Sequence, residues 1–309
     1  MPFRRRGLPA IAAALLVCLG AAEPAAHRQD RIRSGVDVVS LHVTVLDGSR
    51  YVTDLQQEDF QIFEDGVGQE VSFFARGEGP IALAVLIDTS ASMEGSLSTA
   101  QDAAVGFARR IRPGDLMEVV EFSSTVNIAQ PFTDDVAALE RAIRRTRATG
   151  STALYNAMYI ALRSLQKARV ARAEEIRREA IIVLSDGDDT SSLVSYEEVL
   201  DLARRSETAI YAIGLRASEG QRRDFKQAEF VLRQLSGQTG GRVFFPTSTA
   251  ELAKIYDQIA TELASQYALG YVPKNPKRDG AWRRLSVRIA RPGLVGRTRQ
   301  GYFAPGSRS

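Results

Sequence analysis

Ile81–Met93 reads IALAVLIDTSASM, an unbroken apolar run that stops at Asp88-Thr89-Ser90-Ala91-Ser92. A short apolar run bounded by small polar residues is expected for a strand buried on both faces, as in a parallel sheet covered by helices. In open α/β sheets, ligands sit in the crevice beyond the carboxyl ends of such strands. At that position the chain carries one carboxylate and two hydroxyls in alternating register, Asp88, Ser90 and Ser92. All three are oxygen donors, the chemistry of a hard cation.

Outward from this strand, apolar periodicity alternates between strand and helix. A helical stretch is expected over residues 97–111, a strand over 116–122, a short strand over 126–128, and helices over 135–147 and from 153 to about 178. Strands over 180–184, 209–215 and 242–245 then alternate with helices over 196–206, 224–236 and 249–264. Such alternation implies right-handed crossovers. The expected architecture is α/β, a doubly wound, mostly parallel sheet. Before it, residues 36–78 alternate in strand fashion, with turn residues at Asp47-Gly48-Ser49 and Glu64-Asp65-Gly66. After it, residues 266–306 return to strand character, with 274–280 read as a hairpin loop. Too few strands lie in either segment to stand alone. The two are therefore expected to pair into one small β module flanking the α/β domain of residues 79–265.

The first 22 residues differ from the rest. Arg4-Arg5-Arg6 precede a Leu/Ala/Val-rich run and then Gly20-Ala21-Ala22, the pattern of a secretory signal peptide cleaved near Ala22. The run is too short to span a membrane comfortably, and a retained signal anchor is the alternative. Residues 23–35 read as a polar linker. Removing the three arginines leaves 37 of the 40 basic side chains against 37 acidic ones, so the pI of about 9.1 reflects the export segment. Nothing in this balance supports nucleic-acid binding. The only cysteine, Cys18, lies in the apolar run, and Leu15-Leu16-Val17 before it lack the small residues of a lipidation site. A mature, secreted or periplasmic chain would thus have no disulfide and no thiolate metal site.

Two further stretches offer oxygen ligands that an α/β fold would bring close to the first. One is Thr149-Gly150-Ser151-Thr152, where Thr152 opens a helix; the other is Asp186, at a strand end. With these residues the chain resembles a von Willebrand factor A domain carrying a metal-ion-dependent adhesion site. That motif, D-x-S-x-S followed by a separate Thr and a separate Asp, matches Asp88, Ser90, Ser92, Thr152 and Asp186. The resemblance covers residues 79–265. It implies that Ser90, Ser92 and Thr152 give hydroxyl oxygens to a divalent cation, with Asp88 and Asp186 binding directly or through water. Mg²⁺ fits first, with Mn²⁺ or Ca²⁺ as alternatives, and the open coordination position takes a carboxylate from a protein partner. The flanks, including LQQEDFQIFEDG at residues 55–66 and GYFAP at 301–305, resemble secreted bacterial VWFA-related proteins best known from acidobacteria.

D-x-S-x-S alone is a weak signal, because Asp and Ser also cap helices without any metal. The strand-end placement of all three stretches favours the metal reading. Glu94, Asp188 and Asp189 read either as a first-turn acid and a solvated acidic loop or as a source of negative potential for cation capture. The two histidines, His27 and His42, lie outside the α/β stretch, so neither a Ser-His-Asp triad nor a His-based zinc site is expected there. There is no GxxxxGK[ST] loop and no GxSxG elbow. Gly237–Gly241 reads as a turn, and the mixed charges of residues 163–178 as a solvated helix face. The expectation is a secreted or envelope binding protein, not an enzyme. The alternative is an envelope structural or assembly factor whose metal only stabilises the fold.

Overall fold

The apolar run becomes the middle of a six-stranded sheet. In the computed structural model, which describes residues 37–77, 79–171, 178–186, 189–215 and 222–306, strands and helices alternate as the periodicity requires. The signal and linker segments, with Cys18 and His27, lie outside the described residues, as does Asp188. The strands are β1 (Val39–Asp47), β2 (Arg50–Tyr51), β3 (Phe60–Glu64), β4 (Val67–Gln69), β5 (Val71–Arg76), β6 (Ile81–Asp88), β7 (Leu116–Phe122) and β8 (Val126–Thr133). They continue with β9 (Arg178–Ser185), β10 (Ala209–Gly214), β11 (Val243–Phe244), β12 (Tyr267–Tyr271), β13 (Trp282–Ile289), β14 (Val295–Arg297) and β15 (Gly301–Phe303). The helices are α1 (Leu97–Ala108), α2 (Val136–Arg145), α3 (Leu154–Ala171), α4 (Tyr196–Ser206), α5 (Arg222–Thr239) and α6 (Leu252–Ala264).

The central sheet has the order β11-β10-β9-β6-β7-β8, parallel throughout except for the antiparallel β7–β8 pair. Every residue of β6 and of β9 is buried. Side chains alternate between the faces: Leu83, Val85 and Ile87 pack with α1, α2 and α6, whereas Ala82, Ala84 and Leu86 pack with α3, α4 and α5. From β6 the chain runs outward to β7 and β8, then returns to β9 on the other side of β6. The carboxyl ends of β6 and β9 are therefore the topological switch point, where an open sheet leaves a crevice.

Several expectations need correction. The long third helix was expected to reach residue 178, but Arg178 begins β9. Strand β8 runs on to Thr133, past Pro131. It is an edge strand, where a missing N–H leaves no ladder bond unmade.

The terminal segments do pair. Strand β12 lies between β1 and β5, as in Val39↔Tyr271 and Phe73↔Gly270, and β13 lies between β15 and β3. Residues 274–280 are consequently not a hairpin loop. They cross from one antiparallel sheet to another, because β12 and β13 have different partners. Val39, Leu41, Val43, Phe60, Ile62, Leu269, Leu285 and Tyr302 belong to one buried cluster that draws on both sheets. Its polar centre is Glu64, buried and accepting bonds from Tyr271 Oη at 2.7 Å and Tyr302 Oη at 2.8 Å.

Candidate metal centre

Strand β6 delivers Asp88 fully buried, at 0% exposure. Its Oδ1 accepts from the Ser90 amide at 2.9 Å and its Oδ2 from Ser185 Oγ at 2.5 Å. The chain then bends into a short 3₁₀ turn, Ala91–Met93. Ser90 occupies the cap position of that turn, but its hydroxyl makes no capping bond. Instead Ser90 Oγ lies 3.0 Å from Ser92 Oγ, and Ser92 Oγ donates to Asp186 Oδ1 at 2.9 Å. A helix-capping role for these serines is thereby overturned. Glu94 precedes α1 rather than sitting in its first turn. Asp88 and Ser90 form the buried floor, while Ser92 is exposed and Asp186 half-buried at the rim.

Thr152 joins this group through the backbone. The Gly150 carbonyl accepts from the Ala91 amide at 2.9 Å, and Thr149 N donates to Thr89 O at 2.7 Å, tying the 149–153 loop to the end of β6. On the other side the Thr152 carbonyl accepts from the amides of Thr190 at 2.8 Å and Ser191 at 3.1 Å. The loops after β6 and β9 are thus both stitched to the one that carries Thr152. Gly150 has φ of +75°, and a Cβ there would lie 2.4 Å from Ser124 Oγ, so this position favours glycine twice over.

Sequence reasoning missed Ser185, the second partner of Asp88, and misread Asp189. The Asp189 carboxylate is not free in a solvated loop. It accepts from Tyr155 N at 3.1 Å and Ser192 Oγ at 2.5 Å, capping the start of α3. Asn156 Oδ1 in turn accepts from the amides of Leu193 and Val194, each at 3.1 Å. No local signal marks these bonds, since capping residue and helix lie 34 positions apart in the chain.

Burial raises the pKa of Asp88, opposed by its bonds from Ser185 and Ser90 and reinforced by the charge of Asp186. Asp186 is raised as well, again by burial, with the Ser92 bond opposing. Among the described residues, the hydrogen-bond partners of these two carboxylates are hydroxyls and amides, not cations. Nor, among the described residues, do three His, Cys, Asp or Glu side chains converge anywhere. The donors gathered here are hydroxyl and carboxylate oxygens, a set suited to hard cations.

With this geometry in place, the comparison with known proteins is direct: residues 82–258 match the von Willebrand factor type A domain. The chain belongs to that family. The matched stretch begins in β6 and ends in α6, leaving the terminal antiparallel sheets outside the A domain. A UPF0353 protein of Mycolicibacterium paratuberculosis is 25% identical over 224 residues, 67% of this chain and 66% of that protein. An uncharacterized protein of Synechocystis is 29% identical over 113 residues, 36% of this chain and 26% of that protein. Among solved structures, a von Willebrand factor type A protein from Catenulispora acidiphila shares the fold, with a TM-score of 0.51 and 14% identity over 77% of this chain and 71% of that one. Among the described residues, no helix is long and apolar enough to cross a membrane.

Proposed function

We propose that Asp88, Ser90, Ser92, Thr152 and Asp186 form a metal-ion-dependent adhesion site that uses a divalent cation to grip a carboxylate of a protein partner. The observation that carries this reading is Asp88, a fully buried carboxylate with Ser90 and Ser185 as its hydrogen-bond partners, chained through Ser90 and Ser92 to a second carboxylate. Burying a charge without a counter-charge is costly. A cation at this crevice offsets that cost. The residues fit one: three hydroxyls and two carboxylates are hard donors, and Mg²⁺ suits a set with few charged ligands, Mn²⁺ or Ca²⁺ being the alternatives. Backbone hydrogen bonds also tie the loops after β6 and β9 to the one that carries Thr152, and Ser92 is exposed.

In this reading the site binds and does not catalyse. The basic, apolar and small-residue pattern of residues 1–22 supports a place outside the cytoplasm, in the envelope or beyond it. Titration calorimetry tests the cation, with wild type expected to take up Mg²⁺ and Asp88→Ala and Asp186→Ala expected to lose it while keeping their circular dichroism. Capture of a partner from envelope extract should then require Mg²⁺ and fail in EDTA. Equal recovery with and without the ion would sink the adhesion reading. Unfolding of the protein by EDTA would replace it with the structural role, in which the cation only holds the fold.

A further inference from the structure

A second polar site lies at the opposite end of the sheet, where the A domain meets the terminal strands. A cavity of about 30 Å³ is lined there by His42 of β1, Arg178 at the start of β9, Thr298 and Arg299, with Glu179 and Glu207 at its wall. Both arginines are 7% exposed. Arg178 spends its Nη atoms on the carbonyls of Leu263, Gly77 and Gly79, and its Nε has no partner. Arg299 spends Nη2 on Ser40 O at 2.7 Å and on Glu207 at 2.9 Å, leaving Nε and Nη1 without partners. Thr298 Oγ1 is likewise buried and unpartnered.

The charges do not balance. Glu179 is taken up by Arg169, through bonds of 2.6 and 2.7 Å, and Glu207 by Arg299. Arg178 has no ion pair among the described residues, only carbonyl partners. An uncompensated buried guanidinium is costly. Burial first, and then the charges of Arg178 and Arg299, bring the His42 pKa down to about 4, with Glu207 opposing.

We propose that this cavity binds a small monovalent anion of the halide class, which ties β1 and the 298–299 segment to the base of the A-domain sheet. Water fits the volume, and the acceptors on the wall could take its hydrogens, but it brings no charge to a guanidinium without an ion pair. A halide accepts from every side and supplies the missing negative charge.

The test compares the full chain in sodium bromide and in sodium gluconate at equal ionic strength, by thermal melting and by anomalous diffraction from crystals grown in bromide. We expect a melting temperature higher by several degrees in bromide, saturating with concentration, and an anomalous peak within hydrogen-bond distance of Arg178 Nε and Arg299 Nη1. Thr298→Val, which removes one donor at nearly constant volume, should weaken the bromide response several-fold. A cavity without a halide peak overturns the proposal whatever the melting temperature. A peak with no thermal gain marks an adventitious ion only and overturns it too, as does an undiminished response in Thr298→Val.

Discussion

Asp88 and Asp186 face each other's charge across Ser90 and Ser92, and a cation changes the sign of that interaction. Replacing Asp88 by Asn keeps an acceptor for Ser90 N and lets the new amide donate to Ser185 Oγ, while removing the buried charge. In EDTA, Asp88→Asn is therefore expected to be at least as stable as wild type in urea unfolding. With Mg²⁺ at a hundred times its Kd, wild type should gain about 2.7 kcal/mol and the variant nothing. A variant clearly less stable than wild type in EDTA would show Asp88 to be a hydrogen-bond hub that needs no cation. Gly150 tests the neighbouring loop. Its φ of +75° and the nearness of Ser124 Oγ mean that Gly150→Ala strains the turn whose carbonyl holds Ala91. The expected loss is about 1–2 kcal/mol, the cost of a left-handed non-glycine residue. Mg²⁺ affinity measured by calorimetry should fall with it.

At the scale of elements, β7 carries an acid that the site does not use. Glu118 is 1% exposed, accepts from Ser164 of α3 at 2.7 Å through Oε2, and leaves Oε1 without a partner. Burial pushes its pKa from 4.5 up to about 7, against the Ser164 bond. The folded state thus holds a proton that the unfolded chain releases, so this contribution is fully present below about pH 4.5 and is lost as the pH rises towards 7. Its size is roughly 3 kcal/mol at most. Urea unfolding at pH 5 and pH 8 should show Glu118→Gln losing less stability across that interval than wild type; equal losses would place the proton elsewhere. The same scale decides what could be read from the chain. Strand β6 and helix α4 fall where expected, because an apolar run ending in Asp88 and the helical periodicity of residues 196–206 are local signals. Strand β8 outruns the expected 126–128 and crosses Pro131, and β14 lies within a stretch expected only to have strand character. Alternation marks a segment as a strand without naming its partner, which is why the 274–280 connection was misread. The five candidate ligands follow a motif and so were legible. Ser185 and Asp189, recruited by the closing of the fold, were not.

At the scale of the molecule, Asp37–Ser309 forms one compact unit, and Glu262 of α6 shows how the A domain and the terminal strands are joined. Its carboxylate is at 0% exposure and accepts from Tyr211 Oη of β10 at 2.7 Å, from Tyr51 Oη of β2 at 3.1 Å and from Arg297 of β14. One buried acid therefore binds the central sheet and both terminal segments. Removing either partner of the ion pair strands the other, which typically costs about 3–5 kcal/mol, whereas removing both relieves the orphaned charge. Glu262→Gln and Arg297→Gln should each destabilise the protein substantially. The double variant should lose clearly less than the sum, a coupling that a double-mutant cycle in urea reads directly. Because the clamp reaches all three parts of the chain, wild type should unfold in a single transition, coincident in near- and far-ultraviolet circular dichroism. Additive losses together with two separate transitions would mean that the terminal sheets fold independently of the A domain, and that Glu262 only fills space between them.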